Sequence, residues 1–137
     1  TRCLSDWSSD VCSSDLTGKC KNITMVGSDI LIYRLVYNLV ENAIKYNHSG
    51  GQVTVTAYRK EKHVYLSVED TGNGIPEELR ERVFEPFFRV DKSRSRELGG
   101  VGLGLALVRE IVRVHDGSIA VRSNPSGGTV FDVILPL

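Results

Sequence analysis

The chain has 137 residues, of which 41% are hydrophobic and 25% are charged, and equal numbers of acidic and basic residues give a formal net charge of zero. This length and balance are typical of one globular domain with its own core. The even charge argues against nucleic acid or an anionic membrane surface as the main partner. No apolar run approaches the roughly 18 residues of a membrane span.

The cysteines do not suggest a metal site. Cys3, Cys12 and Cys20 are too far apart for a CxxC pair, and no histidine lies beside them. We therefore expect inert thiols and no metal cluster built on them, and their odd number fits a reducing compartment.

The N-terminal stretch has an unusual composition. Ser5 to Leu16 reads SDWSSDVCSSDL, which is rich in serine and aspartate without an apolar period and is typical of a disordered linker. The same residues back-translate without a break to a nucleotide sequence resembling a common sequencing-library adapter. We predict that residues 1–16 are translated adapter and disordered, with a native linker as the alternative. The domain would then occupy residues 17–137, with its first strand missing or replaced.

The first half of the domain alternates between strand and helix patterns. NITMV (Asn22 to Val26) predicts a short strand, and apolar residues spaced three and four apart predict an amphipathic helix from about Ile30 to Tyr46. Two segments with alternating polarity, Gln52 to Tyr58 and His63 to Asp70, predict an antiparallel hairpin.

The second half begins with a proline and acidic residues that predict a short helix over Glu77 to Phe84. Residues 89–100 lack an apolar period and are predicted to form a mobile loop. Phe87 and Phe88, together with Phe84, would anchor that loop by hydrophobic packing.

The C-terminal part predicts a helix and a closing hairpin. An apolar stripe that includes Leu107 and Ile111 predicts a helix ended by Gly117, and Ser118 to Ser123 and Thr129 to Leu135 predict two strands. The expected fold is an α+β two-layer sandwich, with a mixed, mostly antiparallel sheet covered on one face by about three helices.

Four polar residues of the first helix share one face. At about 100° per residue, Asn38, Glu41, Asn42 and Lys45 fall within one narrow arc. Each Asn costs a helix roughly half a kcal/mol relative to Ala, so two of them on one face favour a ligand role over an ordinary solvated face. Amide oxygens suit Mg²⁺, which completes its shell with water and phosphate.

DTGNGIP (Asp70 to Pro76) follows the second hairpin strand directly. Asp70 would lie at the strand end, and Gly72 and Gly74 would let a nucleotide base approach closely enough for its exocyclic amino group to donate to the carboxylate. The alternative is a plain turn, which this composition also favours.

Glycines crowd the start of the last helix, where each interior Gly costs about 1 kcal/mol relative to Ala. They lie at positions 99, 100, 102 and 104. A helix start with exposed N–H groups favours phosphate, and close helix packing is the alternative explanation. The preceding loop is basic and would fold over a triphosphate, although such loops are commonly just solvated.

These motifs resemble, in order and spacing, the catalytic ATP-binding domain of bacterial sensor histidine kinases, part of the gyrase, Hsp90, histidine kinase and MutL superfamily. NLVENAIKYN is similar to the N box, DTGNGIP to the first glycine box, FEPFFRVD to the F box and GGVGLGLALV to the second glycine box. The resemblance covers about Asn22 to Leu137. The F box separates the chain from the gyrase, Hsp90 and MutL branches.

The resemblance implies γ-phosphoryl transfer from Mg·ATP to a histidine. It implies that Asn38 and Asn42 bind Mg²⁺, that Asp70 accepts from adenine, and that Glu41 orients or deprotonates the acceptor histidine. The other nucleotide-binding residues it implies are Lys45, Tyr46, Gly72, Gly74, Ile75, Arg89, Lys92, Arg94, Gly100, Gly102, Leu103, Gly104 and Thr129.

The resemblance also implies partners, namely a histidine-bearing dimerisation domain and a downstream response regulator. It implies a cytoplasmic domain without direct membrane contact, within a parent protein that can be an inner-membrane sensor. His48, His63 and His115 do not lie in segments suited to a phosphoacceptor. With the acceptor domain absent from this chain and the first strand missing or replaced, we expect the isolated chain to bind Mg·ATP weakly or unstably and not to autophosphorylate. An anti-sigma-type serine kinase and a non-catalytic nucleotide-binding module are the alternatives.

Overall fold

The computed structural model describes residues 14–20, 27–88, 103–125 and 127–136. Two short 3₁₀ turns, Glu77–Leu79 and Arg82–Phe84, lie between the third strand and the second α-helix. The helices and strands in chain order are β1 (Ser14–Cys20), α1 (Asp29–Lys45), β2 (Gly51–Lys60), β3 (His63–Asp70), α2 (Gly104–Val114), β4 (Ser118–Ser123) and β5 (Thr129–Pro136).

The strands form one five-stranded sheet in the order β1-β2-β3-β5-β4. β1 runs parallel to β2, and the other neighbours are antiparallel. This confirms the predicted mixed, mostly antiparallel sheet. In this register Glu69 lies opposite Val130. The end of β3 and the start of β5 are therefore neighbours, so Asp70 is next to Thr129.

The core lies between the sheet and the two α-helices. Every second residue of β3 is buried, as an antiparallel strand with one covered face requires. The buried residues of α1 recur at helical spacing on the facing side; they are Leu35, Val36, Leu39, Val40 and Ala43. Neither α-helix in the described part of the chain combines the length and apolar character that a bilayer span requires.

The two helices are joined at one end by His115. Its Nδ1 lies 2.8 Å from the Ile111 carbonyl oxygen, and its Nε2 accepts from the Ser28 backbone N–H at 3.3 Å. Ser28 is the N-cap of α1, where its hydroxyl accepts from the Leu31 N–H at 3.4 Å. The start of α1 is thus fastened to the end of α2.

The predicted helix over Glu77 to Phe84 was wrong. The structure has two separate 3₁₀ turns there, so the described residues contain two α-helices rather than about three. Only Val83 and Phe84 are buried within these turns. A short α-helix is stable only when enough of its residues are buried against the rest of the protein, and two buried residues do not suffice here.

The three phenylalanines that were expected to anchor the following loop differ in environment. Phe84 is buried and packs edge to face against Phe131, with ring centroids 6.2 Å apart. Phe88 is partly buried beneath the Arg82 guanidinium, which lies 4.8 Å from its ring centroid. Phe87 is 69% exposed, so the packing expected of it was wrong.

β1 begins inside the segment that was expected to be disordered. Ser14 to Leu16 belong to this strand and pair with residues 51–53 of β2. Strand pairing uses backbone groups that every sequence carries, so a polar composition does not prevent it. Residues 1–13, the predicted strand over 22–26 and the loop over 89–100 lie outside the described residues. The adapter origin of residues 1–16 stays a prediction.

Candidate functional site

Asp70 is a buried carboxylate at the end of β3, only 5% exposed. Its Oδ1 accepts from the Gly72 N–H at 2.9 Å and from the Thr129 N–H at 3.2 Å. Burial raises the pKa of Asp70 above its ordinary value, while the two backbone hydrogen bonds counteract part of that rise. Both bonds go to Oδ1, so within the described part of the chain Oδ2 is left to accept from a ligand.

The turn between β4 and β5 holds Asp70 from behind. The Asn124 side-chain amide donates to the Asp70 carbonyl oxygen at 2.9 Å, and the Asn124 N–H donates to the Gly128 carbonyl oxygen at 3.1 Å. A Cβ at Gly128 would lie 2.2 Å from the Asp70 carbonyl oxygen, and its φ of +98° also favours glycine.

Asn124 and Gly128 were not among the predicted site residues. They lie in NPSGG, between the two strands of the predicted closing hairpin. The sequence offered one sign of their role. Two glycines come directly before Thr129, which the resemblance implies is a nucleotide-binding residue.

Gly72 and Gly74 are needed by the protein backbone. A Cβ at Gly72 would lie 2.3 Å from the Tyr46 carbonyl oxygen, and one at Gly74 would lie 3.2 Å from the Gly128 carbonyl oxygen. Gly74 also has a φ of +75°. Close backbone packing therefore accounts for both glycines, whether or not a base approaches them. Ile75 follows, partly buried against the core.

The polar face of α1 is partly buried, as a binding surface at a helix edge would be. Lys45 Nζ lies 3.2 Å from Glu41 Oε1, so these two side chains do face the same side. The Asn38 amide nitrogen donates to the Arg34 carbonyl oxygen at 2.8 Å. That bond directs Oδ1 of Asn38 away from its own helix backbone.

The start of α2 lies beside Asn38. A Cβ at Gly104 would be 3.3 Å from Asn38 Oδ1, so glycine permits this close approach. Among the described residues, no side chain caps the helix at Leu103. An amide oxygen and an uncapped helix start thus adjoin, and this pairing suits a cation held together with phosphate oxygens. The close approach of α1 to α2 also explains the glycine at position 104, as the alternative of close helix packing predicts.

Three pairs of predicted residues link the elements of the candidate site: Asp70 with Thr129, Gly72 with Tyr46, and Asn38 with Gly104. The first lies at one end of the sheet, the second joins that end to α1, and the third joins α1 to α2. Five predicted residues lie outside the described part of the chain: Arg89, Lys92, Arg94, Gly100 and Gly102.

Known proteins match this arrangement. The sensor-like histidine kinase SenX3 of Mycobacterium tuberculosis is 44% identical over 115 residues, which is 84% of this chain and 28% of SenX3. The structure of the catalytic domain of histidine kinase ThkA gives a TM-score of 0.76 at 30% identity, over 90% of this chain and 78% of that one. Full-length ShkA in complex with AMPPNP gives a TM-score of 0.75 at 27% identity, over 90% of this chain and 25% of ShkA.

The chain spans less than a third of the length of the curated relatives it matches. It covers most of the isolated ThkA catalytic domain, so the match corresponds to that domain rather than to a whole sensor protein. The sequence family described as "Histidine kinase-, DNA gyrase B-, and HSP90-like ATPase" matches residues 27–137, which include every described part of the site. The chain belongs to this ATPase family, and within it the chain is similar to the catalytic domains of sensor histidine kinases.

Proposed function

We propose that this chain is the ATP-binding catalytic domain of a two-component sensor histidine kinase. It positions Mg·ATP for γ-phosphoryl transfer to a histidine on a separate dimerisation domain. The observation that carries the proposal is the buried Asp70 carboxylate, held by backbone N–H groups on Oδ1, with the neighbouring Gly72 packed closely against the end of the asparagine-bearing helix. The named relatives are sensor histidine kinases, which favours a histidine acceptor over serine.

Asp70 would select the base. Its Oδ2 would accept a hydrogen bond from the exocyclic amino group of adenine, with Tyr46 and Thr129 beside the base or ribose. A guanine base presents a carbonyl oxygen at the same position and would be repelled. Because Asp70 is only 5% exposed, water would compensate poorly for that repulsion.

The phosphate end would be built around α1 and the start of α2. Asn38 and Asn42 offer the oxygen donors that Mg²⁺ prefers, and a bound Mg²⁺ would neutralise phosphate charge. Lys45 would contact the phosphates, and Leu103 and Gly104 would present backbone N–H groups to them. Gly100 and Gly102, with Arg89, Lys92 and Arg94 for the γ-phosphate, complete the proposed set.

Phosphoryl transfer requires positioning and charge stabilisation more than covalent chemistry from the protein. The acceptor imidazole nitrogen forms a bond to the γ-phosphorus, the bond from that phosphorus to the β–γ bridging oxygen breaks, and ADP leaves. Glu41, paired with Lys45 at 3.2 Å on the polar face of α1, would orient the imidazole or accept its proton.

This chain spans less than a third of the length of the matched sensor kinases, so we infer that it acts within a larger protein. A histidine-bearing dimerisation domain would supply the acceptor, and a response regulator would receive the phosphoryl group. The domain would be cytoplasmic, in a parent that can be an inner-membrane sensor.

Two measurements test the proposal. Titration calorimetry with Mg·ATP, Mg·GTP and ATP plus chelator should show binding that prefers adenine and strengthens with Mg²⁺. The chain incubated alone with γ-³²P-ATP should not label itself. With a separate dimerisation domain it should produce acid-labile, base-stable phosphohistidine. Acid-stable phosphoserine on that partner, or adenine binding unchanged in Asp70→Asn, would overturn the proposal.

A further inference from the structure

A hydrogen-bonded bridge joins the end of α1 to the loop after Asp70, through side chains to which the proposed function gives no role. Asn47 follows α1 and is 8% exposed. Its amide nitrogen donates to the Gln52 carbonyl oxygen at 2.9 Å. Its Oδ1 accepts from the His48 N–H at 2.9 Å and from the Thr71 hydroxyl at 3.2 Å. Both ends of this buried amide are therefore engaged.

Thr71 completes the bridge from the other side. Its hydroxyl donates to Asn47 and accepts from the Gln52 N–H at 2.9 Å. Thr71 lies directly between Asp70 and Gly72, whose N–H donates to the Asp70 carboxylate. One hydroxyl thus connects the loop that shapes the carboxylate to both the end of α1 and the start of β2.

Two backbone segments pack closely against the end of α1 beside this bridge, and each has a glycine at the point of contact. A Cβ at Gly51 would lie 2.3 Å from Asn47 Oδ1, and one at Gly72 would lie 2.3 Å from the Tyr46 carbonyl oxygen. Side chains are excluded at both positions, so the two segments cannot be spaced further apart by packing. The hydrogen bonds of Asn47 and Thr71 cross between these two segments.

We propose that Asn47 and Thr71 are positioning residues that fix the distance between the base-binding carboxylate and the asparagine face of α1. This inference rests on the proposed function, in which Asp70 binds the base while Asn38 and Asn42 serve the metal and phosphates. A nucleotide that engages both ends needs the correct span between them. A nucleoside engages one end only, so its affinity does not depend on that span.

A purely structural role makes a different prediction. If the bridge only stabilised the fold, weakening it would lower the melting temperature and reduce both affinities together. A positioning role lowers the affinity for Mg·ATP relative to adenosine in protein that remains folded. The ratio of these two dissociation constants therefore distinguishes the two roles.

The test compares Thr71→Val, which removes the hydroxyl, with Thr71→Ser, which retains it, using the full chain. Calorimetry with adenosine and with Mg·ATP gives the ratio for each protein. Loss of two hydrogen bonds should weaken Mg·ATP binding in Thr71→Val about tenfold, with adenosine affinity changed less than about twofold. Thr71→Ser should restore the wild-type ratio.

A second variant covers the case in which Thr71→Val does not fold. Asn47→Asp keeps an acceptor for His48 and Thr71 but cannot donate to Gln52, and it should shift the ratio in the same direction. An unchanged ratio in a folded variant would refute the positioning role. If the wild-type chain bound adenosine and Mg·ATP equally, or neither of them, the proposed function itself would fail.

Discussion

The two ends of the proposed nucleotide site differ in how firmly the protein holds them. At the base end, Asp70 and Asn124 are buried, and backbone N–H groups bind the carboxylate directly. At the phosphate end, Glu41 and Lys45 are 39% and 30% exposed. The base end is therefore preorganised by the fold, whereas much of the described phosphate end consists of partly exposed side chains on the surface of α1.

Because of this difference, substitutions at the two ends should affect the free energy of unfolding differently. Buried, hydrogen-bonded groups are costly to disturb, while half-exposed helix residues change stability little when replaced. Substitutions at the base end should thus affect folding and binding together unless they preserve shape. Substitutions at the phosphate end should affect binding or transfer with almost no change in the free energy of unfolding.

Gly128→Ala should have the largest effect, because it pushes a Cβ against the Asp70 carbonyl oxygen. It should lower the free energy of unfolding by about 3 kcal/mol or more and abolish nucleotide binding. Gly127→Ala is the matched control, since its φ of +92° is similar but its Cβ would meet none of the described residues within 4 Å. It should cost only about 1–2 kcal/mol. Equal losses in urea denaturation would show that backbone strain, not contact with Asp70, dominates.

Asp70→Asn should have the next largest effect, a loss of binding without a loss of stability. The side-chain oxygen can still accept from Gly72 and Thr129, but loss of the charge should weaken Mg·ATP binding about 100-fold. Calorimetry on folded protein measures this change. A drop of less than about threefold would mean that the base is not held at Asp70.

The raised pKa of Asp70 adds a stability test for the same variant. The pKa of Asp70 is higher in the folded than in the unfolded state, so protonation of Asp70 at low pH stabilises the folded protein. This stabilisation is lost as the pH rises through the pKa that Asp70 has in the folded state. Asp70→Asn should therefore be as stable as wild type or more stable at pH 7, with a flatter dependence of unfolding free energy on acid pH. A less stable Asn variant at pH 7 would contradict this.

Local patterns predicted most of the fold. The spacing around Leu35 and Leu39 and the alternation over His63 to Asp70 identified α1 and β3 because one face of each is buried. The prediction of a helix over Glu77 to Phe84 was wrong because acidic first-turn residues favour a helix start but do not supply a buried face.

Candidate site residues stand out in the sequence where a residue type carries a cost that needs explaining. Asn38 in a helix and Gly104 near a helix start are such cases. The Asn47–Thr71 bridge and the Asn124 contact with Asp70 were not predictable. They depend on which loops the fold brings together, and Asn124 lies 54 residues from its partner along the chain.

Asn42→Ala should affect the phosphate end alone. Removing one amide oxygen should weaken Mg²⁺-dependent ATP binding about tenfold and leave binding in chelator unchanged. Because Ala is the better helix former, the free energy of unfolding should rise by roughly half a kcal/mol. Binding measured with and without Mg²⁺, together with urea denaturation, would check both. Equal loss in both conditions would remove Asn42 from the metal site.

Glu41→Gln should leave nucleotide affinity nearly unchanged and provides the sharpest contrast with the base end. The ion pair with Lys45 is exposed enough to contribute only about 0.3–0.5 kcal/mol, so the melting temperature should barely move. If Glu41 orients or deprotonates the acceptor, phosphohistidine formation on an added dimerisation domain should fall about 100-fold or more. Glu110 forms a similar exposed ion pair with Arg113, one turn further along α2, so Glu110→Gln is the control and should transfer normally. Normal transfer by Glu41→Gln would assign proton acceptance to another group and leave Glu41 as a partner of Lys45.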